Sequence, residues 1–578
     1  MTQTAELRSR ESFGDAKEAA EFVAMLERFE KGELNAEQYR QYRLSRGVYG
    51  QRQENLHMVR VKIPQGLLTG AQLRALADVA DRYSRGYGHV TTRQNIQFHH
   101  VKPEHAGPFL LALADCGLTT REACSHTVRN VVACAYAGVC SGAPFDVTPY
   151  AEAVTRHFLR AQWGSGLPRK FKITASGCED DCAKAAMNDL GIVGRLVDGQ
   201  RGFRVLIGGG TATLPRSGRA VFDFLPEAQL LAGCEAVVRV FHREGERKNL
   251  HKARLKWVLE RLGFEKVKEL VHAELKVILD EGGRPLPELS VEGPPPKRDW
   301  PEVHDRRPLP AAFAEWRRTN VRAQVQPGYS AASVRLTLGD VGSAQLRELA
   351  VLAETYGDGS VRTTLGQNLL LRWVSDEALG ALWRRLEAVG LGAAGADKIS
   401  DVTSCPGAET CKIAVTASRG MAQKLTEHLT AKHADDGPAA NADIKISGCP
   451  NGCGQHHVSA IGLQGGVRKV GEKLVPQYHL LLGGGVDGNG ATFGRLVARI
   501  PARKIPEAVD RLLAHFEHHR AAGEDPRAFF TRLKLEDAKQ LVADLAVLDA
   551  ASATADDYVD LGSTVPFEVV ATEGECAA

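Results

Sequence analysis

At 578 residues the chain is too long for one hydrophobic core, so two to four domains are expected. Apolar residues at 43% and charged residues at 25% are those of an ordinary soluble globular protein, and a net charge of +3 argues against a general nucleic-acid binder. Twelve cysteines, no apolar leader core in Met1 to Glu30 and no uninterrupted bilayer-length apolar run point to metal ligation in the reducing cytoplasm rather than to a disulfide framework.

In chain order, residues 1–50 read as a helical packing arm, with Phe22, Met25, Leu26 and Phe29 at helical spacing. Residues 51–120 alternate strand and helix. His57 to Ile63 is a predicted strand, Thr69 to Ser84 a helix, His89 to Phe98 a second strand and Glu104 to Cys116 a second helix. That order suggests a small α+β unit with helices on one face of its sheet. Residues 121–282 follow, with Thr127 to Cys134, Lys170 to Cys178 and Val205 to Gly210 ahead of charged helices. A proline-rich connector over 283–312 is centred on Pro294 to Pro296.

The series then begins again, over 313–392 and 393–550, and ends in an acidic wrapping tail, 551–578. Val334 to Leu338 matches Val59 to Ile63, Val361 to Asn368 matches Val90 to Asn95, and Leu481 to Gly485 matches Leu206 to Gly210. Cys134, Cys140, Cys178 and Cys182 have the same mutual separations as Cys405, Cys411, Cys449 and Cys453, each pair of counterparts lying 271 positions apart. The chain is therefore expected to be an internal duplication whose halves are related by a pseudo-twofold axis.

Cys405 and Cys411 enclose five residues, and Cys449 and Cys453 three. Structural zinc pairs usually enclose two to four residues, whereas an iron-sulfur cube has four irons and tolerates unequal spacing. Gly407, Gly448, Gly452 and Gly454 let backbone N–H groups approach the sulfurs and offset their charge. The alternative is four buried or disulfide-bonded cysteines.

The pattern Cys-x5-Cys, then Ser447-Gly-Cys-Pro-Asn-Gly-Cys453, resembles that of the sirohaem and iron-sulfur nitrite/sulfite reductase family, with a match from about Tyr49 to the end. The resemblance implies an α+β fold of two duplicated halves, each with a ferredoxin-like half-domain and a nitrite/sulfite reductase domain. It makes Cys405, Cys411, Cys449 and Cys453 the ligands of a [4Fe-4S] cluster, and Cys453 also the bridge to sirohaem iron. Arg60, Arg129, Lys170 and Lys172 match the positions that face the distal side of that iron.

A strand through Lys170-Phe-Lys172 puts both amines on one side and Phe171 in the core. Four cations converging on one pocket call for a small oxyanion, although any one alone reads as a solvated surface charge. Ser400, Asn441 and Asp443 stand at the equivalent places in the second half.

Sirohaem carries eight carboxylates, for which Arg93, Gln94, Asn95 and Gln97, alternating in a strand, resemble the family's binding segment, with Arg52 and Gln53 as weaker candidates. His99 and His100 read as structural or as carboxylate contacts. Cys134, Cys140, Cys178 and Cys182 depart from the family, which usually lacks a full ligand set there. They are either a second cluster acting as an electron relay or residual thiols. Some relatives carry a cysteine near Cys124 that cross-links to a tyrosine, while Cys116, Cys234 and Cys576 have no assigned role.

The leading expectation is six-electron reduction of sulfite to sulfide. Lys172 tilts the choice, since many nitrite reductases of this resemblance have asparagine there, and doubly charged sulfite gains more from an added cation than nitrite does. The alternatives are reduction of nitrite to ammonia and, from another class, a non-catalytic iron-sulfur carrier or sensor. With no Gly-x-Gly-x-x-Gly segment after a strand, electrons come from outside, from a ferredoxin or a separate flavoprotein. The basic run Arg243 to Lys256 is a candidate docking face.

Overall fold

Short β-branched strands alternating with amphipathic helices dictate layered α+β structure, and the computed structural model shows it over residues 12–289, 293, 307–433 and 437–570. Pro294 to Pro296 and Cys576 lie outside the described residues. The chain divides into two units, the first made of residues 1–209, 218–336 and 340–394, the second of 210–217, 337–339 and 395–578. Among the described residues no helix is long and apolar enough to cross a membrane.

The first unit holds both ferredoxin-like half-domains. One antiparallel sheet runs in the order Val48–Gly50, His57–Val61, Ile96–Val101, Tyr87–Val90, Asp340–Gly342; the other runs Val321–Ala323, Tyr329–Val334, Leu369–Ser375, Ser360–Thr363, Leu67–Thr69. Each is completed by an edge strand from the other repeat. Helices Gly70–Tyr83 and Ser343–Tyr356, the first capped by Thr69 Oγ1 on Gln72 N at 3.3 Å, pack in one shared core with Leu76, Val79, Leu349 and Leu352 fully buried.

The arm helix Ala16–Glu30 lies against Pro103–Asp115 and buries Phe22.

The exchange is fastened by two glutamines. Gln94, fully buried, donates through Nε2 to Ala133 O at 2.9 Å and Thr363 O at 2.8 Å, and its Oε1 accepts from Ala133 N at 3.0 Å. Its counterpart Gln367 donates to Val90 O at 3.0 Å. Leaving such a buried amide unsatisfied costs about 1–3 kcal/mol, so these bonds fix the register of the two half-domains.

Two expectations are corrected here. Residues 91–95 form a turn between Tyr87–Val90 and Ile96–Val101, not a continuous strand: Gln94 has φ +57°, and Thr91 Oγ1 accepts from Arg93 N and Asn95 N. The repeat register also moves by two residues. Asn95 Oδ1 accepts from Ile63 N and Asn368 Oδ1 from Leu336 N, so Val334 matches Val61 and the counterpart of Arg60 is Ser333.

The other sheet of the first unit runs Arg219–Pro226, Gln200–Ile207, Leu190–Val197, Ile173–Ser176, Val132–Ala133, with the last two pairings parallel. Helices Leu230–Glu244 and Phe264–Asp280 pack together in its core with Phe171 and Phe241. The second unit repeats the sheet as Thr403–Ser404, Ile444–Ser447, Ile461–Val470, Lys473–Leu482, Arg495–Pro501. Both sheets hold the same register: Ala133 opposes Ala175, and Ser404 opposes Ile446. The helix Leu535–Leu541 ends where buried Val542 leaves the helical region at φ −126°, ψ 12°. Tail residue Asp560 is buried and accepts from Ala417 N at 2.7 Å.

Candidate functional site

Parallel pairing leaves the strand ends of each sheet facing one way, and the cysteines follow those ends. In the second unit Cys405 continues Thr403–Ser404 and donates its N–H to Ile446 O at 3.2 Å, while Cys449 and Cys453 follow Ile444–Ser447. Gly448 N–H reaches Cys405 Sγ at 3.3 Å, and Ser418 Oγ lies 3.3 Å from the same sulfur.

Burial, then the charge of Cys453, pushes the Cys405 thiol up. Burial, then Cys453, Cys405 and Cys411, does the same to Cys449. The thiolates of Cys405 and Cys449 are thus costly without a cation, which is the condition an iron cluster relieves. Among the described residues no set of three or more His, Cys, Asp or Glu is arranged to hold a single metal ion. Gly452 has φ +68°, and a Cβ there would sit 2.8 Å from His457 Nδ1.

The first unit gathers the cations. Segment 127–129 lies beside 170–172: Val128 opposes Phe171, and Arg129 N donates to Phe171 O at 2.8 Å. Phe171 is fully buried, and Lys170 and Lys172 are half-buried. Arg129 donates to Ala123 O and Ser125 O at 2.8–3.1 Å.

Burial drives Lys172 well below its ordinary basicity, and the charges of Arg254, Arg93 and Lys170 add to it while Asp189 opposes. Arg93 is pulled down to about 9 by burial and by Arg129, with Arg254 and Arg60 contributing. Lys62, also buried, falls to about 8 under burial and nearby Arg129, Arg160 and Arg121, against the single carboxylate of Glu122. Arg60, Arg129, Lys170 and Lys172 are therefore brought into one electrostatic neighbourhood, with Arg93 at its centre.

Sequence reasoning missed the groups that hold this cluster. Asp189, fully buried, takes Arg254 in two hydrogen bonds of 3.0 and 2.7 Å and accepts from Lys172 N at 2.9 Å. Lys62 shares a strand face with Arg60 at a spacing of two, a signal the alternation carried. His456 and His457, buried behind Cys453 with ring centroids 3.9 Å apart, were also passed over; burial holds His456 well below its ordinary basicity.

The segment expected to meet sirohaem is partly engaged within the protein. Gln94 and Asn95 serve the backbone as described. Gln97, with its amide oxygen turned to the guanidinium, accepts from Arg60 Nε at 3.2 Å and Nη2 at 2.6 Å. Arg93 donates to Asn188 Oδ1 at 3.1 Å and Asn130 O at 2.7 Å, but its buried Nε has no acceptor among the described residues.

Gln53 Oε1 accepts from Gln51, which also pins His100 Nδ1 at 2.7 Å, and Arg52 and His99 are half-buried. Cys124 and Cys234 are buried and Cys116 half-buried. The basic run is not one open face: Arg254 and Lys256 are buried, and Arg243 pairs with Glu274 and Glu244.

Comparison with known proteins agrees with this construction. The family model described as "Nitrite and sulphite reductase 4Fe-4S domain" matches residues 124–279 and 395–536. "Nitrite/Sulfite reductase ferredoxin-like half domain" matches 49–116 and 322–389. A ferredoxin–nitrite reductase of Synechococcus elongatus is 29% identical over 79% of this chain and 85% of its own length. A sulfite reductase [ferredoxin] of Mycobacterium tuberculosis is 28% identical over 81% and 80%.

The solved structure of the Mycobacterium tuberculosis NirA protein superposes with a TM-score of 0.74 at 25% identity, covering 92% of this chain and 98% of that one. The duplicated α+β fold, the paired cysteines and the two repeated family matches lead to one conclusion: the chain is an enzyme of the nitrite and sulphite reductase family, an oxidoreductase whose cofactors are a [4Fe-4S] cluster and sirohaem.

Proposed function

We propose that this enzyme reduces sulfite to sulfide with six electrons delivered singly by a reduced ferredoxin. Six protons are consumed and the three oxygens leave as water. The supporting observation is the crowd of half-buried cations around Arg93 and Lys172, with Asp189 the carboxylate that opposes their charge at both. Such a group is unfavourable by itself, and an anion of charge two offsets more of it than an anion of charge one.

In this reading Arg60, Arg129, Lys170 and Lys172 bind and orient the anion, and Gln97 aims Arg60. Asp189 fixes Arg254 and the Lys172 backbone. The Lys172 amine, easily discharged where it sits, passes protons to the departing oxygens and is recharged from solvent. Arg93 Nε offers a donor to a sirohaem carboxylate. Cys405, Cys411, Cys449 and Cys453 would hold the cluster, and Cys453 would also serve the sirohaem. Bound sirohaem and cluster would supply the redox chemistry.

Nitrite is the second reading, since relatives carry either name. Steady-state kcat/KM with reduced ferredoxin decides. A higher value for sulfite is expected, and a much higher value for nitrite overturns the choice.

A further inference from the structure

The family assignment requires one cluster, yet the first unit builds a second four-cysteine cradle. Cys134 N donates to Ala175 O at 3.1 Å, as Cys405 does to Ile446 at 3.2 Å. Ala143 N donates to Cys140 O at 3.3 Å, as Ala414 does to Cys411 at 3.4 Å. Lys184 N donates to Asp181 O at 2.8 Å, as Gln455 does to Gly452 at 3.0 Å. Even the left-handed residues recur: Asp181 at φ +50° matches Gly452 at +68°, and Lys184 at +59° matches Gln455 at +65°. A side chain at Asp181 adopts a conformation that disfavours it, so this loop shape is held at a cost.

Exposure repeats as well. In each quartet the first and third cysteines are buried, the second is half-buried and the fourth exposed. None of the four thiols of the first quartet is in a disulfide. A Cβ at Gly142 would lie 3.7 Å from both Cys140 Sγ and Cys178 Cβ. Packing accounts for a buried cysteine, but not for exposed Cys182 at the matching corner.

We propose that Cys134, Cys140, Cys178 and Cys182 hold a second [4Fe-4S] cluster, with a lower reduction potential than the cluster at Cys405, Cys411, Cys449 and Cys453. The difference lies in the intervening residues. Glu179-Asp180-Asp181 separates Cys178 from Cys182, whereas Pro450-Asn451-Gly452 separates Cys449 from Cys453. Glu179 is offset by Arg195 at 2.6 Å, and Asp181 accepts from Ala185 N and Ala186 N. Asp180 lies beside the cradle: the same Cβ at Gly142, 3.7 Å from Cys140 Sγ and Cys178 Cβ, would sit 3.8 Å from Asp180 Oδ2. Reduction adds one electron from a one-electron iron-sulfur donor protein, takes the cluster with its thiolates from net charge −2 to −3, and breaks no bond. Added charge beside a carboxylate is harder to introduce.

The test uses full-length holoprotein purified without oxygen. Iron near nine per chain, with acid-labile sulfide near eight, is expected, against about five and four for one cluster plus haem. A reductive titration followed by electron paramagnetic resonance should show two cluster signals. Cys182→Ser should remove the lower-potential one and leave the haem absorption, and Asp180→Asn should shift it upward. About five iron per chain in the unmutated protein, zinc in the first quartet, or an unmoved signal in Asp180→Asn overturns the proposal. The unmutated count stands even if a variant fails to fold, and it leaves the substrate reading untouched.

Discussion

Residues 124–279 and 395–536 share a strand order, a register and a four-cysteine cradle, yet the side chains at equivalent places have opposite character. Arg129, Lys170 and Lys172 in the first unit correspond to Ser400, Asn441 and Asp443 in the second. The anchors invert too. In the first unit Asp189 accepts from Lys172 N, while in the second Asp443 accepts from Ala460 N, where Asp189 would stand, and pairs with Lys445 at 2.9 Å. Arg254, at the N-cap of Leu255–Leu262, corresponds to Asp525 at the N-cap of Pro526–Arg532. Backbone hydrogen bonds keep the cradle through duplication, while a handful of side chains reverses the charge beside it.

That contrast can be broken most severely at Cys453. Cys453→Ala should abolish turnover and remove the haem bands from the visible spectrum; retention of both would end the cluster-and-bridge assignment. Next comes Asp189→Asn, which leaves Arg254 buried without its charge partner. A loss of about 3–5 kcal/mol is expected, read as a lower urea midpoint. Lys172→Asn should lower kcat/KM for sulfite by about 10²–10³, the range for losing one charge-stabilising donor, and lower it less for nitrite.

The smallest effect tests the cation crowd through pH. Lys62 falls to about 8 in the folded chain against an ordinary value of 10.5. Below pH 8 it is charged in both states and the full burial penalty is present. Between about 8 and 10.5 the unfolded chain holds more protons, so stability rises with pH, by at most about 3 kcal/mol. Lys62→Met should flatten that rise in a series of urea midpoints.

The duplication and both cysteine quartets were legible because their information is sequential: fixed spacings and a constant offset. Arg129, Lys170 and Lys172 were singled out by the same matching. Asp189 and Arg254 were not, because 65 positions separate a buried pair that only the fold brings together. Thr91 and Thr92 lent strand character to a turn that Gln94 sets through its backbone. The edge strands Leu67–Thr69 and Asp340–Gly342 have three residues each, too few to display a period.

Those two edge strands have a consequence for how the protein is made. The sheet begun at Val48 stays one strand short until Gly342 has left the ribosome, and at about 5–20 residues per second that is a wait of tens of seconds. Meanwhile the open side of Tyr87–Val90 is a template for any passing chain. Expressing the amino-terminal half alone should therefore yield a sticky fragment, rescued when the carboxy-terminal half is supplied in trans.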